Sequence, residues 1–108
     1  MHTKEEMENL AGRMRGVREI VECRQRVVAF RIAEAVAAKR EPRQKDVDRF
    51  RLACLDLPRS FAAESALCAR VSGRKPAPFN IYSRDPDLDP VADARALLDR
   101  WINDDTDD

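Results

Sequence analysis

The chain has 108 residues and no formal net charge, with 20 Lys and Arg against 20 Asp and Glu. Charged residues make up 37% and aromatics 6%, a helix-rich vocabulary with room for one domain and a modest core. No run approaches the roughly 20 apolar residues of a membrane span, and the polar start MHTKEEMENL reads as neither a signal nor a transit peptide. The expected location is therefore cytoplasmic, with no membrane partner.

The pattern predicts a long first helix over about residues 4–40. Thr3 followed by Glu6 is a capping box. The acidic first turn, Glu5, Glu6 and Glu8, and the basic end, Lys39 and Arg40, suit the helix dipole. Residues 17–38, VREIVECRQRVVAFRIAEAVAA, form the most apolar stretch of the chain and contain no Pro or Gly. At about 100° per residue this helix carries two apolar stripes. One is Met7, Leu10, Met14, Val17, Val21, Val28, Ile32 and Ala35. The other is Ile20, Cys23, Val27, Phe30 and Ala37.

A helix packed on one surface needs a single stripe. Two stripes call for cover on two sides, either from its own chain or from a partner such as a second copy. Length bears on the choice. A helix over 4–40 is roughly 54 Å long at about 1.5 Å per residue, whereas a compact globule of this size is about 34 Å across. Either the helix bends near Gly12 or Gly16 or it overhangs. The GxxxG spacing of these glycines implies a bend or a close helix crossing, and no more.

Pro42 ends this pattern, and a second helix follows over about 43–57. Val47, Phe50, Cys54 and Leu57 form its stripe, widened by Leu52 and Leu55. The short connection makes it an antiparallel neighbour of the first helix. Pro58 breaks the pattern again. A third helix is expected over about 59–72, with Asp56 as cap, Phe61, Leu67, Cys68 and Val71 inward, and Gly73 as the left-handed stop.

Residues 74–89, RKPAPFNIYSRDPDLD, hold three prolines and cannot form one helix. They read as an extended arm. Phe79, Ile81 and Tyr82 either pack it back on the bundle or form a recognition segment. Asp89 then caps a fourth helix over about 90–102, with Pro90 at its first position and Val91, Ala94, either Leu97 or Leu98, and Trp101 inward. The fold class is therefore all-α, a small four-helix bundle-like domain over 1–102. The acidic residues 103–108 are expected to be disordered.

Little in the chain points to catalysis. His2 is the only histidine, and Ser60, Ser65, Ser72 and Ser83 lack a nucleophile context. Three glycines are too few for a phosphate loop. Asp85, Asp87 and Asp89 lack the Gly and Glu of a calcium loop. Cys23, Cys54 and Cys68 form no CxxC pair and no zinc set, and are expected to be buried free thiols. The reading is of a non-enzyme with no cofactor and no metal.

Two functions follow. The first is a small interaction protein, a regulator, inhibitor or adaptor, acting on a protein partner and forming a homodimer through Ile20, Cys23, Val27 and Phe30. The second is a nucleic-acid-binding regulator. Residues 1–75 carry 17 Lys and Arg against 11 Asp and Glu, while residues 76–108 carry 3 against 9. On that reading Arg15, Arg18, Arg26, Arg43, Lys45 and Arg49 meet phosphates, and the acidic tail competes for them.

Overall fold

The structure, a computed structural model, describes residues 2–102; the acidic segment 103–108 and its expected disorder lie outside the described residues. Among the described residues the fold is all-α. It comprises α1 (Lys4–Ala37), α2 (Gln44–Val71), a single-turn α3 (Ile81–Arg84) and α4 (Pro90–Ile102).

The start of α1 follows its sequence signal. Thr3 Oγ1 accepts a hydrogen bond from the Glu6 backbone N–H at 3.1 Å. The Glu6 carboxylate pairs with Arg95 of α4. α1 stops at Ala37, short of residue 40. Lys39 adopts a left-handed conformation at φ 57°, the Lys39 N–H donates to Val36 O at 3.0 Å, and the Arg40 N–H donates to Ala35 O at 2.8 Å. This is a Schellman end, so Lys39 and Arg40 lie beyond the last helical turn. α2 ends the same way, with Gly73 at φ 72° and the Arg74 N–H donating to Ala69 O at 2.7 Å.

The expected break at Pro58 does not occur. α2 is one helix of 28 residues with Pro58 inside it. An interior proline loses one backbone bond and costs about 3 kcal/mol. The helix persists because both sides of it pack: Ala53 and Asp56 before, Ser60, Ala63 and Leu67 after, all buried, while Pro58 faces out. Asp56 is accordingly not a cap. It is a buried acceptor.

The buried face of α2 also differs from the expected stripe. Ala53, Ser60, Ala63, Ala66 and Leu67 are buried, whereas Cys54, Leu55, Phe61 and Cys68 are exposed and Val71 is half-buried. The core face is rotated by roughly a third of a turn from the predicted one. A row of Ala and Ser lets α2 approach α1 more closely than a row of Phe and Leu would. Cys54 and Cys68 are consequently exposed, and with Cys23 of α1 all three cysteines are exposed free thiols, contrary to expectation.

Residues 74–89 pack back on the bundle, with α3 inside them. Asn80 caps α3 through Oδ1, which accepts the Tyr82 N–H at 3.0 Å, and its Nδ2 donates to Ala62 O at 3.0 Å. Tyr82 is buried, and its hydroxyl donates to Asp93 Oδ2 of α4 at 2.8 Å. Burial, followed by that carboxylate, pushes the Tyr82 hydroxyl well above the usual tyrosine range. α4 opens as predicted, with the Val91 N–H donating to Asp89 Oδ1 at 3.0 Å.

Trp101 locks α4 in place. It is buried, and its Nε1–H donates to Asp56 Oδ2 at 2.6 Å. Arg100 Nη1 donates to the same oxygen at 2.6 Å, and the Arg49 guanidinium lies over the Trp101 ring at 5.5 Å. The core joins Leu10, Met14, Val17 and Val21 of α1 to Ala53, Ala63 and Leu67 of α2 and to Val91, Leu97 and Trp101 of α4.

The molecule measures 53 × 26 × 19 Å, with a radius of gyration of 16.0 Å, against about 13 Å for a compact chain of this length. α1, with 34 residues, is about 51 Å long and α4, with 13 residues, about 20 Å. α1 therefore spans the long axis without a break at its glycines, and α4 covers less than half of it. Residues near 4–21 lie in a three-helix body. The rest of α1 pairs with the start of α2 as a two-helix extension.

Candidate functional site

The two stripes of α1 have opposite environments. Leu10, Met14, Val17, Val21, Val28 and Ala35 are buried. Of the second stripe, Cys23 is exposed, Val27 is 40% exposed and Phe30 is 65% exposed. Ile20 departs from this group, because it is half-buried and packs on the edge of the core. Phe30 sits about 140–180° around the helix from Val21, Val28 and Ala35, so burial there cannot come from the chain's own core.

Gly12 and Gly16 lie on this same outer face. A Cβ added at either would meet no atom within 4 Å. The structure thus shows no close helix crossing at these glycines. The outer face of α1 instead runs from a stretch over the three-helix body opened by Gly12 and Gly16 to an apolar stretch over the extension.

The surface has ion pairs at its margin. Arg26 Nη2 pairs with Glu22 Oε1 at 2.8 Å on α1. Arg31 Nη1 reaches the buried Asp46 of α2 at 3.5 Å, and Arg43 Nε reaches it at 3.6 Å. These contacts hold the extension together around Val28 and Ala35, with Ile32, Val47 and Phe50 half-buried beside them.

The six cations expected to meet phosphates do not form one patch. Arg15 and Arg18 both pair with Glu64 beside the three-helix body, and Arg18 also stacks on the Phe61 ring at 4.4 Å. Arg26 is held by Glu22. Arg43, Lys45 and Arg49 lie together at the start of α2, the last two in a groove with Leu52 and Arg100. The expected recognition arm is likewise divided. Phe79 is 81% exposed, Ile81 is half-buried and Tyr82 is in the core.

Sequence periodicity missed four exposed apolar residues, Val36, Leu55, Phe61 and Ile102. Val36 falls in neither α1 stripe. The stripe places Leu55 and Phe61 inward, but small residues near them in sequence, Ala53, Ser60 and Ala63, hold the core positions instead. Among the described residues no group of three or more His, Cys, Asp or Glu is placed to hold a metal ion, and no helix is long and apolar enough to cross a membrane. The chain matches no protein-family model, no curated protein and no solved structure.

Proposed function

We propose that this protein is a non-catalytic helical interaction protein, a small regulator, inhibitor or adaptor, which works as a homodimer through the outer face of α1. The observation that carries this reading is the exposure of Val27 and Phe30 on the side of α1 opposite its core. Phe is among the residues enriched at the centres of protein interfaces. The face is neither a solvated polar surface nor a part of the fold. Equal numbers of acidic and basic residues also fit association with a like chain better than association with a polyanion. Three exposed free thiols fit a reducing, cytoplasmic compartment.

Nucleic-acid binding has weaker support. Three of its six expected cations are engaged with Glu22 or Glu64, away from the cluster at the start of α2. A polyanion ligand would show binding that weakens steeply with salt.

Sedimentation at micromolar concentration tests the homodimer. The wild-type chain is expected to dimerise, and V27E/F30E to be a monomer with unchanged helical content, because neither residue is in the core. A strictly monomeric wild-type chain rules the reading out.

A further inference from the structure

The outer face of α1 is self-complementary about one residue. Gly16, Ile20, Cys23, Val27 and Phe30 follow one another at steps of four, three, four and three, the spacing of a seam between two helices. Cys23 stands at the middle of this run. Seven residues before it is Gly16, where an added Cβ would find open space. Seven residues after it is Phe30, the most exposed large hydrophobic side chain on α1.

Reversing the helix about Cys23 exchanges the protrusion for the gap. Phe30 of one copy then lies over Gly16 of the other, and Val27 lies beside the exposed edge of Ile20. Charge agrees with this register. Glu19 and Arg26 flank the same side of the seam, and the reversal brings Glu19 of each copy opposite Arg26 of the other. A parallel arrangement would instead stack Phe30 on Phe30 and leave Gly16 facing Gly16, with a void between them.

Resting on the homodimer reading, we propose that two copies pack the outer faces of α1 antiparallel around a twofold axis at Cys23, with Phe30 of each seated over Gly16 of the other. The occupant of this face is a second copy because the pattern is its own complement in both size and charge. The contact runs about 21 Å from one Phe30 to the other. The interface places the extension of one copy alongside the three-helix body of the next. The open stretch over the body is thereby covered by the apolar stretch over the extension.

The axis gives the register a direct reporter. Packed helices lie about 8–10 Å apart. With Cα atoms about 2.3 Å from each axis, two facing Cys23 Cα atoms come within about 3–5 Å, and the wider end of that spacing lies inside the disulfide range. In the full-length C54S/C68S chain, diamide is expected to take up two hydrogens from the two Cys23 thiols and leave most of the protein as a disulfide-linked dimer. Sedimentation supplies the second readout. G16F and F30A should each weaken the dimer by about tenfold or more, and G16F/F30A should recover most of the loss, because the protrusion and the gap have only changed places. A dimer without the Cys23 link, or without recovery in the double variant, overturns this arrangement and leaves the homodimer standing. A monomeric wild-type chain overturns both.

Discussion

The two ends of α1 share one helix and one sequence style, but they are held by different forces. Near Met14, Val17 and Val21 the helix has walls on two sides, α2 and α4, and the core there includes Leu67, Leu97 and Trp101. Near Val28 and Ala35 it has one wall, the start of α2, and both residues lie outside that core although they are buried. The body is stabilised mainly by apolar packing. The extension relies on a thin apolar row with Asp46 held between Arg31 and Arg43. A helix can thus project beyond its domain when one neighbour is long enough to accompany it, and its other side then stays exposed.

The contrast is open to mutation, beginning with the strongest effect. D56A removes the acceptor shared by Trp101 and Arg100 and strands a buried indole N–H. The expected loss is roughly 2–3 kcal/mol in denaturant unfolding, with α4 loosened first in hydrogen exchange and the extension little changed. Equal loosening of α4 and the extension would show that the two regions act as one unit.

The same substitution at two points of α1 compares them directly. Val17 and Val28 are 0% and 1% exposed. V17A is expected to cost about 2 kcal/mol, because the three-helix body cannot close over the lost methyls. V28A is expected to cost about 1 kcal/mol, because the extension has a free side toward which it can relax. Equal costs in denaturant melts would break the distinction.

Y82F bears on how the arm is fastened to the body. It deletes the hydrogen bond to Asp93 and is expected to cost about 1 kcal/mol at neutral pH. The Tyr82 hydroxyl has a raised pKa in the folded state. Its contribution is therefore complete below the unfolded tyrosine pKa, about 10, and falls as pH rises from there toward the folded value. Melting temperature against pH should descend above about pH 10 in the wild type, and less steeply in Y82F.

The smallest effect concerns the tip of the extension. Lys39 and Gly73 hold the same left-handed position after α1 and α2. A residue with a Cβ is strained there by about 1 kcal/mol. K39G is expected to raise stability by roughly 0.5–1 kcal/mol, and its benefit in hydrogen exchange should be greatest for residues 28–47.

Much of this fold was legible residue by residue. Thr3 and Asp89 fixed two helix starts through their side-chain caps, Gly73 fixed one end, and the prolines kept residues 74–89 out of any long helix. These are local signals, carried by a few neighbouring atoms, and the rest of the chain has little power to alter them. The face Cys23–Val27–Phe30 was legible for a similar reason, since a second apolar stripe follows from the 3.6-residue period alone.

Pro58 and the buried face of α2 were not legible. Proline opposes a helix locally, and only burial on both sides of it outweighs that cost. The apolar pattern places Phe61 and Leu55 inward, but the approach of α1 selected the Ala and Ser row. The sequence by itself determined where helices begin, which residues share a face, and that α1 has one apolar face more than a single packing surface needs. The tertiary structure alone decided which face is buried, because burial depends on what lies opposite. α4 ends after about 20 Å of a 51 Å helix, and α2 lies on the other flank of α1, so Val27 and Phe30 remain outside.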